Sequence, residues 1–277
     1  MEAKKKRAAW RAALLLSTSC LVPIIGHGAS EPAPTNDLLS LSLEELLSVE
    51  ITSAARKSQS LSETAAAVYV ISNEDIRRSG VRSVPEALRM APGLQVAQID
   101  ANKWAISARG FNGRFANKLL VLVDGRTVYT PSFSGVYWDV QDTLLDDVER
   151  IEVIRGPGSS VWGSNAVNGV INIITKSSAE TLSGLTQASY SSNKSHSAAI
   201  RYGGDLNSGT TYRAFAKYDN YDSTEDLIGN DLADDWKMAR VGGRIDGGST
   251  ASNYSVIAEY YEARTGSSYT FFDPAPP

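Results

Sequence analysis

Toward the end of the chain, apolar and polar residues trade places at every step. Ala198, Ile200 and Tyr202 alternate with Ser197, Ala199, Arg201 and Gly203, and Tyr212, Ala214, Ala216 and Tyr218 with Thr211, Arg213, Phe215 and Lys217. Ala239, Val241, Gly243 and Ile245 alternate with Met238, Arg240, Gly242 and Arg244, and Tyr254, Val256, Ala258 and Tyr260 with Ser255, Ile257, Glu259 and Tyr261. A period of two puts alternate side chains on opposite faces of an extended chain, so 197–203, 211–218, 237–246 and 254–261 are predicted strands, with a weaker one at 184–191. One face of each is small or aliphatic, and two of these faces carry tyrosine at both ends. A strand that crosses a membrane inside a barrel needs that arrangement, with one face in lipid and one in a wet lumen. A water-soluble antiparallel sheet with one solvated face alternates in the same way. The connections favour the membrane reading. "SSNKSH", "DLNSGT" and "DGGSTAS" are short, whereas "DNYDSTEDLIGNDLADD" is long. Outer-membrane barrels have short periplasmic turns and longer outer loops, and the long connection falls on the outer side if the first strand rises from the periplasm.

Upstream, the pattern mixes short strands with short helices. "AAAVYVIS" (65–72), "KLLVLVDGR" (118–126), "VERIEVIRG" (148–156) and "GVINIITK" (169–176) read as strands, the second running into an Asp-Gly turn. "SNEDIRRSG" predicts a short helix with Ser72 as N-cap and Gly80 as its stop. "SVPEALRMAPG" (83–93) predicts a second helix, with Ser83 and Glu86 as a capping box, Pro85 in the first turn and Gly93 at the end. Residues 40–49, "SLSLEELLSV", have the spacing of an amphipathic helix, and 49–57 are extended in character. The segment is therefore a compact α+β domain.

The amino terminus has a different character. Lys4, Lys5, Lys6 and Arg7 precede an apolar run from Ala12 to Ile25, and "GHGAS" supplies small residues for cleavage near Ala29 or Ser30. This is the layout of a secretory signal peptide over 1–29, the run being shorter than the roughly 20 apolar residues of a spanning helix. "EPAPTND" (31–37) then reads as a flexible spacer.

Composition excludes several kinds of function. A formal net charge of −4, with no basic stripe beyond the first residues, argues against nucleic acid as a partner. A single cysteine, Cys20, and two histidines, His27 and His196, allow neither a disulfide framework nor a cysteine or histidine metal site. No motif gathers a serine and an aspartate around His196, the one histidine of the mature chain, and Glu/Asp pairs are possible but unmotivated, so no enzyme and no cofactor are expected. The glycines and proline of "RIEVIRGPGSSVWGSNAVNGVINIITK" (150–176) resemble a phosphate loop only loosely, because "GPGSSVWG" lacks the Gly-Lys-Ser/Thr ending and carries Trp162. They suit tight turns and close backbone approach instead.

Two long blocks, "ISARGFNGRFANKLLVLVDGRTVYTPSFSGVYWD" (106–139) and "DVERIEVIRGPGSSVWGSNAVNGVINIITK" (147–176), resemble the TonB-dependent outer-membrane receptors, and the resemblance spans about residues 37 to 262. It implies an α+β plug domain followed by the first strands, about five, of a transmembrane antiparallel β-barrel. The implied division is a signal peptide at 1–29, a periplasmic linker at 30–57, a plug at 58–176 and the start of the barrel at 177–277. The implied function is uptake of a scarce nutrient such as a ferric siderophore or cobalamin. The implied partners are TonB with its inner-membrane energising complex, a small-molecule ligand such as a metal chelate, and outer-membrane lipid, with the plug and amino terminus facing the periplasm.

The resemblance also assigns residues. A TonB box pairs with a strand of TonB by β-augmentation, and "VEITS", Val49, Glu50, Ile51, Thr52 and Ser53, fits it best. The same residues also read as the first strand or linker of the plug. Arg109 in "ARGF" and Arg155 in "IRGPG" match arginines that meet glutamates on the inner barrel wall. A buried guanidinium must be paired, and the alternative partners lie within the plug at Glu152 or Asp124. The apical segments "FNGRFAN" (111–117) and "TPSFSGVYWD" (130–139), with the residue before the second, offer Arg114, Phe115, Tyr129, Phe133, Tyr137 and Trp138 as ligand contacts. Packing against the barrel wall would use the same side chains.

The chain departs from the family in length. Family barrels are of the plugged, twenty-two-stranded kind, and an open five-stranded sheet leaves edge groups unpaired in lipid. With "FFDPAPP" at its end, the chain reads as an amino-terminal fragment of a receptor. A periplasmic plug-like binding protein, or a non-functional remnant of a receptor gene, is the alternative. The spacing between the leader and "VEITS" is too short for an added signalling domain.

Overall fold

The computed structural model describes residues 50–51, 59–60, 67–156, 158–163, 165–191, 195–207, 209–249 and 252–267. The expected leader at 1–29 and the helix expected at 40–49 lie outside the described residues. Two short strands, β1 (Glu50–Ile51) and β2 (Gln59–Ser60), pair antiparallel ahead of the first domain.

The first domain is built on a five-stranded mixed sheet. Its strands are β3 (Ala67–Ser72), β6 (Leu119–Val123), β7 (Arg126–Thr127), β8 (Val148–Arg155) and β9 (Gly169–Thr175), in the order β3-β8-β9-β6-β7. Only β6 and β9 run parallel. These two central strands, "LLVLV" and "GVINIIT", are buried almost throughout, as expected where both faces of a sheet are covered. One face packs against α1 (Asn73–Ser79) and α2 (Val84–Leu88) through Ile71, Ile76, Leu88, Val121, Val153 and Ile171. The other face holds Leu120, Leu122, Ile154, Ala166 and Val170, covered by Trp162 of the one-turn helix α3 (Ser159–Trp162). The glycine-rich stretch is therefore the β8–β9 connection folded back onto the sheet. At Gly169 an added Cβ would lie 2.4 Å from the Ile154 carbonyl oxygen, so only glycine fits.

The helix ends follow local chemistry. Ser72 caps α1 and forms a reciprocal box with Asp75, and Gly80 closes the helix at φ 70°. Ser83 caps α2 by accepting from Glu86 N, but the Glu86 carboxylate accepts from Arg82 N rather than from Ser83 N. The predicted box is thus half-made. The helix also ends early, at Leu88, and continues to Ala91 in tighter turns before Gly93 at φ 83°. An unpredicted hairpin follows, β4 (Leu94–Gln98) with β5 (Trp104–Ala108).

After β9 the chain forms an antiparallel meander of β10 (Gly184–Tyr190), β11 (His196–Asn207), β12 (Thr210–Tyr221), β13 (Trp236–Ser249) and β14 (Ser252–Thr265). Among the described residues this five-stranded wall does not close on itself. The period of two survives in three dimensions. Ile200, Val241, Val256 and Tyr260 are exposed on the outer face, while Arg201, Arg213, Met238 and Arg240 are buried on the inner face against the first domain.

Candidate functional site: the interface between the mixed sheet and the wall

The inner face of the wall is cationic, and its cations lie opposite one another. The register places Arg213 directly across from Arg244 and Lys217 directly across from Arg240. Like charges at facing positions destabilise a sheet unless something neutralises them. Here carboxylates of the mixed-sheet domain do so together with Asp219, Asp246 and Glu259 of the wall itself. Asp147, in the 3-10 turn Leu145–Asp147 ahead of β8, reaches Arg201 Nη1 at 2.5 Å and Arg213 Nε at 3.4 Å. Asp142 accepts from Lys217 Nζ at 2.6 Å. Asp124 accepts from Thr175 Oγ1 at 2.9 Å, and that hydroxyl accepts from Arg244 Nη1 at 2.8 Å, with Arg244 itself 3.9 Å from Asp124. The Asp147 side chain is 3% exposed, so this is a buried ion cluster whose loss of one member would strand the others.

Local folding positions each carboxylate. Asp124 and Gly125, at φ 48° and 77°, form the two-residue turn between β6 and β7 foretold by Asp-Gly, and this turn aims Asp124 at the end of β9. Backbone contacts bring the surfaces together: Arg213 Nη1 donates to Lys176 O at 2.9 Å, and Arg240 Nη2 donates to Val140 O at 2.5 Å. Burial lowers the pKa of Lys176, which lies between β9 and the wall, although Asp147 and Asp146 act in the opposite sense. Gly203 of β11 lies against the 3-10 turn Ala179–Thr181, where an added Cβ would sit 2.0 Å from Thr181 O.

A second contact joins the β4–β5 turn to the long connection 222–235. Asp234 is buried. Its carboxylate accepts from Ala101 N at 2.9 Å, Thr224 N at 2.8 Å and Thr224 Oγ1 at 2.6 Å, and Asn102 Nδ2 donates to Asp234 O at 2.8 Å. Burial alone would push this carboxyl up. The hydrogen bonds from Thr224 and Ala101 more than reverse that and hold it below the usual aspartate range.

The six apical candidates divide. Phe115 and Phe133 meet edge to face at 5.0 Å, Phe133 and Tyr137 at 4.9 Å, and Arg114 lies 5.1 Å over the Phe115 ring. Phe115 and Tyr137 are exposed, as is Phe111, which the sequence reading did not single out. Arg109, Gly110 and Phe111 all have positive φ (56°, 91° and 58°), a strained run that holds Phe111 outward. Tyr129 and Trp138 belong to the core instead. The Tyr129 hydroxyl donates to Leu119 O at 2.9 Å, and burial pushes its pKa up to about 12.

Arg109 and Arg155 lie together. Arg109 Nη2 donates to Arg155 O at 3.5 Å, and Arg155 Nη1 donates to Pro92 O at 3.1 Å. Among the described residues neither reaches a carboxylate: Glu152 pairs with Arg150, and Asp124 serves Thr175. Of the "VEITS" segment, Val49, Thr52 and Ser53 lie outside the described residues, while Glu50 and Ile51 pair with Ser60 and Gln59.

Residues 60–170 match the family model described as the TonB-dependent receptor plug domain. The vitamin B12 transporter BtuB of Vibrio vulnificus is 31% identical over 167 residues, covering 60% of this chain and 25% of that protein. The iron-regulated outer membrane virulence protein of Vibrio cholerae is 38% identical over 145 residues, covering 50% of this chain and 22% of that protein. The chain thus spans about a quarter of the length of these curated relatives. The pyoverdine outer membrane receptor FpvA of Pseudomonas aeruginosa PAO1 superposes with a TM-score of 0.63 at 20% identity, over 81% of this chain and 32% of that one, which shows a shared fold.

Proposed function

We propose, on the premise that residues 60–170 are a plug domain of the TonB-dependent receptor family, that the chain belongs to an outer-membrane receptor that imports a scarce nutrient such as a ferric siderophore or cobalamin and is opened by TonB. The observation that carries this reading is the buried charge complementarity between plug and wall. Asp142 and Asp147 meet Lys217, Arg201 and Arg213 on the inner face of an antiparallel wall whose outer face is apolar. Such a seal closes a lumen at rest and opens only when work is supplied to separate the charges.

On this reading residues 1–29 are a leader, 30–57 a periplasmic linker, 58–176 the plug and 177–277 the start of the barrel, with the plug on the periplasmic side. Val49–Ser53 bind TonB by strand addition. Arg109 and Arg155 serve a second plug-to-barrel contact. Their proximity supports it, as does the buried Arg155 Nε, which has no hydrogen-bond partner among the described residues. Arg114, Phe115, Phe133 and Tyr137 form the ligand-facing cluster, while Tyr129 and Trp138 support it from the core. Deleting residues 49–53 tests the reading: energised uptake of the nutrient should be lost while ligand binding at the cell surface persists. Uptake that survives the deletion would sink the assignment of the box.

A further inference from the structure

We propose that Arg201, Arg213, Lys217, Arg240 and Arg244 form a binding track for an anionic solute on the inner wall. While the plug is seated, Asp142 and Asp147 hold that track as internal stand-ins for the solute. The inference rests on the plugged-barrel reading above and adds the chemical class of what passes.

The wall does not neutralise itself. Against five cations it supplies Asp219 beside Lys217, Asp246 beside Arg244 and Glu259 beside Arg240. Arg201 and Arg213 have no wall carboxylate among the described ion pairs, and both depend on Asp147 of the plug. Two cation-on-cation rungs, Arg213 with Arg244 and Lys217 with Arg240, repeat along the sheet. A wall built only to be sealed could alternate its charges and avoid that repulsion. Facing cations with separable plug carboxylates suit a surface that must offer its donors to something else once the plug moves.

The space and the spare donors are present. A cavity of about 580 Å³ lies between plug and wall, lined among others by Arg213, Arg240 and Arg244 with the hydroxyls of Thr175 and Ser255. That volume falls in the range of small-molecule sites. The Nε of Arg240 is buried there and has no hydrogen-bond partner among the described residues, and that of Arg213 is held only by Asp147 at 3.4 Å. Guanidinium forks suit carboxylate, phenolate or phosphate oxygens in pairs. A solute bearing several such groups replaces Asp147 and Asp142 step by step, whereas a neutral solute leaves the cations bare.

The test uses the full-length protein in detergent and citrate as the probe, with choline chloride matching the ionic strength. Asp147→Asn empties the carboxylate between Arg201 and Arg213. Citrate should then raise Tm by on the order of 4 °C beyond any rise in the wild type, as saturating binding to the folded state requires. The excess should vanish in Asp147→Asn/Arg213→Gln. Asp142→Asn, which takes the plug's carboxylate from Lys217 and leaves it only Asp219 of the wall, provides the same measurement if the first variant does not fold. Equal citrate effects in the wild type, the single variants and the double variant would overturn the proposal, as would no effect in either single variant. Deleting residues 49–53 leaves this site intact, so failure of the parent reading and failure of the track are separable.

Discussion

Replacing Asp147 by alanine removes the one carboxylate shared by Arg201 and Arg213. Their side chains are 9% and 6% exposed, and that of Asp147 is 3% exposed, so water does not take its place at low cost. Removing one partner of a buried pair costs about 3–5 kcal/mol. Arg213 keeps its bond to Lys176 O, which places the expected loss near the lower figure. For a protein of this size that is a fall in Tm of roughly 6–12 °C. The assay is thermal unfolding of the purified protein in detergent, followed by size-exclusion recovery. A companion Arg201→Gln/Asp147→Asn pair should recover part of the loss, with a coupling on the order of 2 kcal/mol in the double-mutant cycle. A fall below about 2 °C for Asp147→Ala, or strict additivity in the cycle, would refute the claim that these charges are buried against each other.

Three further outcomes follow from other contacts. Because the Asp234 carboxyl is held below the usual range when folded, its stabilising contribution is present above the unfolded pKa near 4 and is lost as pH falls through the lower folded value. Protease cleavage of the 222–235 connection should therefore increase below about pH 4 in the wild type and show less pH dependence in Asp234→Asn, which an acid titration of cleavage rate would check. Gly203→Ala drives a methyl group to 2.0 Å from Thr181 O, a clash of side chain with backbone that costs about 1–3 kcal/mol, readable by denaturant unfolding. Phe115→Ala alters an exposed ring, so it should lower ligand affinity while leaving Tm within about 1 °C of the wild type.

Much of this fold was legible because single residues carried unambiguous signals. The outer-face run Ile200, Tyr202 and the inner-face Arg201 announce a two-sided strand, and Ser72 with Gly80 brackets a helix that forms as read. The hairpin Leu94–Gln98 with Trp104–Ala108 was not legible, because "WAISA" is buried on both faces and shows no alternation. The capping box of the second helix was overread because Glu86 has two amides to choose between and takes Arg82 N, and its length because residues 89–91 close tighter turns than a helix. The six apical candidates share the same residue types, and only their three-dimensional placement separates the packed Tyr129 and Trp138 from the clustered Phe115, Phe133 and Tyr137. The plug–wall ion cluster left half a trace. Cations recur on the inner-face phase at Arg201, Arg213, Lys217, Arg240 and Arg244, but nothing local ties them to Asp142 or Asp147, which lie at least 54 residues away in sequence from Arg201 and Lys217.

The central claim is that the mixed-sheet domain sits on the inner face of the wall and not beside it. Cysteines at Asp142 and Lys217, whose side chains meet at 2.6 Å, and in parallel at Asp142 and Ala216, whose side chain lies on the opposite face of β12, test this with a short thiol-specific cross-linker in intact outer membranes. The account predicts efficient intramolecular linking of the 142–217 pair and little of the 142–216 pair. Equal linking of the two, or none of the first, would contradict it.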